Sequence, residues 1–343
     1  MRSFIIAEAG VNHNGDEALA LQLVETAAEC GADAVKFQTF DADKLVRPGA
    51  DKAEYQKRQT GAGDQHAMLK ALELSRDAHR RLFDRCTELG IEFMSTPFDE
   101  EAADFLLQLG MQRIKVPSGE ITNAPFLDFL AAKDVPLIVS TGMASLSEIL
   151  EAVRAISATR QRLGFKASMK EMVTVLHCTS NYPATYGDVN LRAMATIARA
   201  TRLPVGYSDH TSGIAVSAAA VALGATVIEK HFTLDRAMAG PDHAASLEPR
   251  ELAAMVSQIR AVEVAMGSDI KEPTASELPV RALVRRSVTT ARDIAAGATL
   301  QLSDLALLRP GTGIPPRERD QVPGKRTRRA LPAGTTLQWS DLE

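Results

Sequence analysis

Short apolar runs alternate with amphipathic stretches through the first 267 residues. The runs lie at 4–10, 33–39, 92–98, 113–118, 136–142, 172–178, 203–210 and 227–233. They are rich in Val, Ile and Phe and mostly lack strict alternation, as expected of parallel strands buried on both faces. Helical periodicity occupies 16–30, 76–89, 100–109, 145–157, 190–200, 213–223 and 248–266. In the first of these, Ala20, Leu23, Val24, Ala27 and Ala28 form an i, i+3, i+4 apolar face. Gly31, Gly90, Gly110 and Gly224 stand where helices should stop. The order predicts an α/β fold, a (β/α)8 TIM barrel ending near Gly267. A doubly wound open sheet is the alternative, but no Gly-x-Gly-x-x-Gly follows the first strand.

One crossover is oversized. Residues 40–74 are polar and carry Pro48, Gly49, Gly61 and Gly63, which predicts a partly helical flap over the barrel mouth. Residues 268–282, with Pro273 and Pro279, read as a linker, and 283–343 as a small β-rich domain. That tail holds a repeat: 291–305 and 328–342 share nine of fifteen positions at a period of 37. A core of this size is marginal alone, so the tail is expected to pack on something.

Charge separates the two parts further. The 343 residues have net charge −4, 45% hydrophobic and 24% charged residues, a globular composition. Residues 281–343 hold eleven Arg or Lys against six Asp or Glu, so the first 280 residues carry −9. The basic tail suits an acidic or phosphate-bearing site, while the acidic whole argues against nucleic acid as a partner. No run of about 18 apolar residues predicts a membrane span, and the N-terminus does not read as a signal peptide. Cys30, Cys86 and Cys178 are scattered, which predicts reduced thiols and a cytoplasmic protein.

In a barrel of this kind, chemistry belongs at the C-terminal strand ends. Glu8 closes the first strand, Lys36 and Gln38 the second, and Thr96 the third. Lys115, Ser118 and Glu120 close or follow the fourth, and Ser140 and Thr141 the fifth. His177, Thr179 and Tyr182 mark the sixth, Ser208, Asp209 and His210 the seventh, and Glu229, Lys230 and His231 the eighth. The set predicts a mouth for an anionic, hydroxyl-rich ligand. His210 and His231, on neighbouring strands, could share a divalent metal with open positions, or each be a hydrogen-bonded buried histidine. Lys36 and Lys115 lie inside apolar strands and need partners: a substrate carboxylate and phosphate, or ion pairs with Glu8, Glu120 or Glu229. A third reading makes Lys115, Lys230 or Lys36 a Schiff-base lysine, hence an aldolase. Glu8 and Glu120 are the carboxylates for proton transfer or sugar hydroxyls. Asp242 either reaches the ligand or caps a helix. Arg309, in a Gly/Pro-rigid loop of the tail, either binds a sugar or is solvated.

These residues stand in motifs: Ala7–Gly15 (AEAGVNHNG), Val35-Lys36-Phe37-Gln38-Thr39-Phe40, Ser95-Thr96-Pro97-Phe98-Asp99 and Lys115-Val116-Pro117-Ser118-Gly119-Glu120. Further on come Ser140-Thr141-Gly142-Met143, His177-Cys178-Thr179-Ser180-Asn181-Tyr182-Pro183, Gly206-Tyr207-Ser208-Asp209-His210, Glu229-Lys230-His231-Phe232-Thr233, Gly240-Pro241-Asp242-His243 and Arg309-Pro310-Gly311-Thr312-Gly313. In this order the chain resembles, end to end, the bacterial sialic acid synthases. These condense phosphoenolpyruvate with an N-acetylated amino sugar into a nine-carbon 2-keto acid. The tail resembles their type III antifreeze-like (SAF) domain.

The resemblance implies His210 and His231 as metal ligands, for Mn²⁺ first and Mg²⁺ or Co²⁺ otherwise. It implies Lys36, Thr96, Lys115, Ser118, Ser140 and Ser208 as phosphoenolpyruvate contacts. Glu8, Gln38, Glu120, Tyr182, Asp242 and Arg309 become amino-sugar contacts, with Glu120 ahead of Glu8 as the proton carrier. It also implies a homodimer in which the tail swaps and lends its arginine to the partner's site. One departure stands out: some members carry Asn two residues before the tyrosine, where this chain has Ser180. The expected substrate is N-acetylmannosamine, giving N-acetylneuraminate. The alternative is 2,4-diacetamido-2,4,6-trideoxymannose, giving N,N'-diacetyllegionaminate. Phe40, Gln65 and the flap are where the two sugars would be told apart.

Overall fold

The computed structural model describes residues 2–343 and, at Tyr55, the backbone alone. Two compact units divide it, Met1–Gly267 and Ser268–Glu343.

The first unit is a ring of eight parallel strands: β1 (Phe4–Gly10), β2 (Ala34–Thr39), β3 (Glu92–Pro97), β4 (Ile114–Val116), β5 (Leu137–Ser140), β6 (Val173–Cys178), β7 (Val205–Asp209) and β8 (Val227–His231). Their order is β3-β2-β1-β8-β7-β6-β5-β4. The two ends of that order, β3 and β4, lie side by side. There Arg113 pairs with Glu92 at 2.7 Å, so the barrel is nearly closed.

Period-two alternation builds the interior in layers. Ile6, Ala34, Met94, Ile138, Leu176 and Val227 form a buried apolar layer. Two residues further along the same strands stand Glu8, Lys36, Thr96, Ser140, Cys178 and Glu229. The apolar layer is thus a dry plug, and the polar side chains sit above it toward the strand ends.

Helices cover the outside. Asp16 caps the helix Glu17–Glu29 by accepting from Ala18 N and Leu19 N, and that helix buries Ala20, Leu23, Val24 and Ala27. The helix Leu146–Arg162 runs past the apolar periodicity that suggested 145–157. Its polar end is held from the side: Thr159 donates to Asp128, and the buried Arg160 pairs with Asp134 at 2.9 Å. The flap carries three short helices, Ala42–Leu45, Glu54–Thr60 and Gln65–Lys70. Phe40 and Leu72 pack with Val11, Met68 and Phe98 to root it on the barrel.

In the second unit, β9 (Ser287–Thr290) and β10 (Leu305–Leu308) pair antiparallel. Its core includes Ile294, Leu300, Leu331 and Leu337. Ile294 and Leu331 occupy equivalent repeat positions and bridge each other. Asp304 and Asp341 are equivalent too, each accepting from the backbone N–H three residues earlier at 2.9 Å. The repeat is therefore a folding device. The stretch expected as a linker holds the helix Glu277–Val284, whose Leu278, Val280 and Leu283 are exposed.

Candidate active site

The polar layer opens into a cavity of ≈430 Å³. Eleven of the fourteen residues to which the resemblance assigns a role line it: Glu8, Lys36, Gln38, Thr96, Lys115, Ser118, Ser140, Tyr182, Ser208, His210 and His231. Glu120 is not among them; it sits on the turn Ser118–Glu120 beyond β4 and accepts from Asn123 Nδ2 at 2.7 Å. Asp242 is buried outside the lining and precedes the turn His243–Ala245 without a side-chain capping bond. Arg309 is exposed in the second unit.

At the floor lie two lysines and two glutamates. Lys36 Nζ is 2.6 Å from Glu8 Oε2, 3.6 Å from Glu229 Oε2 and 3.0 Å from Thr96 Oγ1. Lys115 Nζ is 3.0 Å from Glu229 Oε1, which also accepts from Ser208 Oγ at 2.9 Å. The strand lysines are thus ion-paired within the protein, through Glu8 and Glu229, with Glu120 taking no part.

The two glutamates differ. Burial pushes both up, but beside Lys115 and Lys36 Glu229 falls well below the usual carboxylate range. Glu8 keeps the effect of burial, only partly countered by Lys36 and reinforced by the Glu229 charge, and reaches about 7. One carboxylate stays ionised while its neighbour titrates near neutrality, the separation that distinguishes acid–base partners. From the sequence Glu229 is a possible ion-pair partner of the strand lysines, which it is, and nothing more. The signal was in β8: with His231 pointing inward, alternation puts Glu229 inside and Lys230 outside.

Lys230 does lie outside. Its side chain is fully buried behind the wall, 3.2 Å from Asp209, and donates to the Thr211 carbonyl. Lys36 and Lys115 are both tied to carboxylates, and Lys36 is held above its ordinary range by Glu229 and Glu8, which disfavours the neutral amine a Schiff base needs.

His210 and His231 face each other with ring centroids 5.6 Å apart. His210 Nδ1 lies 2.7 Å from the Thr179 carbonyl, which can only accept, so Nδ1 carries the proton and Nε2 keeps a lone pair. Burial lowers His210 to about 4 and His231 well below the ordinary range, so both rings are neutral at pH 7. His231 Nδ1 is sealed and finds no hydrogen-bond partner among the described residues. Two neutral nitrogen donors with oxygens nearby fit a divalent cation with open positions. No cluster of three or more His, Cys, Asp or Glu among the described residues would form a closed site. Tyr182 packs on both rings, 4.2 Å and 5.5 Å between centroids.

The opposite wall carries hydroxyls. Ser118 Oγ accepts from Gly142 N at 3.0 Å and lies 3.3 Å from Cys178 Sγ. Ser180 is a neighbour in the lining, and Ser140 Oγ is buried without a partner among the described residues. From the flap come Ala53, Gln56 and Gln65; Phe40 only supports Phe98, edge to face at 5.9 Å.

Comparison with known proteins agrees with this geometry. The NeuB family model matches residues 23–271 and the SAF domain model residues 285–343. The N,N'-diacetyllegionaminic acid synthase of Legionella pneumophila is 54% identical, over 100% of this chain and 95% of its own. The Campylobacter jejuni protein of that name is 46% identical, over 94% and 95%. Among solved structures, the N-acetylneuraminic acid synthetase of Leptospira borgpetersenii, in complex with citrate, superposes with a TM-score of 0.70 at 35% identity, covering 82% of this chain and 90% of its own. The ring of eight strands, the inward residues at its mouth and these matches place the chain in the NeuB family, with a SAF domain at its C-terminal end.

Proposed function

We propose that the chain joins phosphoenolpyruvate to 2,4-diacetamido-2,4,6-trideoxymannose, giving N,N'-diacetyllegionaminate and phosphate. N-acetylmannosamine, placed first from the sequence, gives way because both relatives described above carry the legionaminic name over nearly their full lengths. The observation that carries the chemistry is the floor of the cavity, where Lys36 and Lys115 are held by Glu8 and Glu229 beside two neutral imidazoles.

Each residue has work in that reaction. Lys36 and Lys115 exchange their carboxylate partners in part for the anionic groups of phosphoenolpyruvate, a preorganised electrostatic role. Ser118 and Ser140 bind the same anion from the other wall, with Ser118 Oγ held in place by the Gly142 N–H. His210 and His231 would hold a divalent cation, Mn²⁺ in this reading, which would supply Lewis-acid polarisation to the sugar's aldehyde. The enol carbon bonds to the aldehyde carbon, and the aldehyde oxygen takes a proton. Water adds at C2 and gives up one proton, and the C2 hydroxyl becomes the ketone as the bond from C2 to the phosphate oxygen breaks, its proton leaving with the phosphate. Glu8, titrating near neutrality, holds and moves the proton, in place of Glu120. Glu229 remains ionised and fixes both lysines.

A phosphorylated sugar suits the cavity poorly. Lys36 and Lys115 are its only lysines among the described residues, both at the floor, and no arginine lines it. A homodimer with exchanged C-terminal domains, Arg309 serving the partner's sugar, and a cytoplasmic location belong to the same proposal. Three unpaired cysteines support a reducing compartment. No helix among the described residues is long and apolar enough to cross a membrane.

Phosphate release from phosphoenolpyruvate, followed with Mn²⁺ and each sugar separately, tests the proposal. Fast, EDTA-sensitive release with the diacetamido sugar is expected. No release with the diacetamido sugar, whether or not N-acetylmannosamine reacts, would overturn the proposal.

A further inference from the structure

Charge is confined to one side of the cavity. Glu8, Lys36, Lys115 and Glu229 lie at its floor, whereas the flap brings Ala53, Gln56 and Gln65. The flap wall therefore offers carboxamides and apolar surface, with Phe98 and Met143 also in the lining.

Gln56 is fixed in orientation. Only 9% of the residue is exposed, and its Oε1 accepts from Ala53 N at 3.0 Å. A backbone N–H can pair only with the amide oxygen, so the NH₂ group cannot exchange places with it. That NH₂ finds no acceptor among the described residues. On the cavity wall, a donor held in this orientation is open to an acceptor from a ligand. Gln65 begins the helix Gln65–Lys70; its backbone N–H is spent on the Ala50 carbonyl at 2.9 Å, and its half-buried carboxamide remains for the cavity.

We infer that Gln56, assisted by Gln65, is the specificity determinant that reads the 4-acetamido group of the sugar; this rests on the proposed reaction. The Gln56 NH₂ donates to the acetamido carbonyl. The Gln65 carboxamide accepts from the acetamido N–H. The acetamido methyl is left to the apolar part of the wall. A 4-hydroxyl group is too short to fill the same place and carries neither the carbonyl nor the methyl. Sites built around a polar group of the substrate discriminate strongly against an analogue that lacks it, because their own polar groups are left unpaired.

The test uses Gln56→Glu in the full-length protein. A glutamate keeps the oxygen that accepts from Ala53 N, so the start of the helix Glu54–Thr60 retains its cap. It replaces the donor by an acceptor, which repels the acetamido carbonyl but can accept from a hydroxyl. The ratio of kcat/KM for the 2,4-diacetamido sugar to that for N-acetylmannosamine is expected to fall at least about tenfold. Where N-acetylmannosamine is not turned over, its inhibition constant replaces its kcat/KM. Gln65→Ala should lower the same ratio independently, which covers a flap that tolerates no charge at position 56. The KM for phosphoenolpyruvate serves as the control for general damage. If the unmodified protein turns over the diacetamido sugar and both variants keep its ratio within about twofold, this assignment is overturned while the proposed function stands. If the unmodified protein does not turn over the diacetamido sugar, the proposed function fails and this assignment fails with it.

Discussion

Lys115 Nζ and Glu229 Oε1 lie 3.0 Å apart although their strands, β4 and β8, stand four places apart in the ring whichever way it is counted. The contact crosses the barrel interior. Together with Lys36 it makes Glu229 the anion on which the floor of the cavity depends. Glu229→Gln leaves two buried cations without that charge, and breaking a buried pair costs about 3–5 kcal/mol. Denaturant titration should show a loss of that order, and turnover should fall with it. Adding Lys115→Met removes one orphaned cation. The double variant should regain stability but not activity. A single variant as stable as the parent would contradict the central place of Glu229.

The two imidazoles should bind metal jointly. Because both are neutral at pH 7, no proton has to leave before a cation enters. Removing outer-shell partners already costs 10–100-fold in metal affinity, so His210→Ala and His231→Ala should each cost roughly 100-fold or more. Electron paramagnetic resonance of free Mn²⁺ measures this without turnover. Unchanged affinity in either variant would place the metal elsewhere.

Gly142 has no room for a side chain. A Cβ there would press on Ser180 Oγ, lie 2.9 Å from Ser118 Oγ and 3.2 Å from Cys178 Sγ. Gly142→Ala should therefore disturb the hydroxyl wall and raise the KM for phosphoenolpyruvate about tenfold or more, with a smaller effect on the KM for the sugar. Equal effects on both would separate this wall from the anion.

Asp242 imposes a pH dependence on stability. Burial raises its carboxyl from 3.8 to about 6. Between those values the folded chain binds the extra proton, so stability falls as pH rises from about 4 to about 6, by roughly 3 kcal/mol at most. Asp242→Asn should remove this slope and stabilise the protein above pH 6. Urea midpoints at pH 4, 5, 6 and 7 for both proteins measure it; identical slopes would contradict the raised value.

Much of this site is legible in the sequence. Strand ends are short in sequence, and a barrel gathers them at one mouth, so Lys36, Thr96, Ser208 and His231 could be read as neighbours. What escaped depended on direction and distance. Glu120 belongs to a shared motif and stands next to a strand end, yet the turn at Ser118–Glu120 carries it out of the lining. Glu229 is the ion-pair partner the strand lysines called for, but its place at the cavity floor follows only from alternation, which sends Lys230 outward. Gln56 lies in a polar loop with no apolar period, and only the packing of the flap brings it to the cavity. The helix Glu277–Val284 was hidden by Pro279, which is tolerated in a first helical turn.

One vessel tests the central claim most directly. The protein, Mn²⁺ and phosphoenolpyruvate are mixed with equal concentrations of 2,4-diacetamido-2,4,6-trideoxymannose and N-acetylmannosamine, and the nine-carbon acids are resolved by mass. N,N'-diacetyllegionaminate should dominate from the first minutes, with one phosphate released per molecule formed. A predominance of N-acetylneuraminate, or phosphate released without either acid, would contradict it.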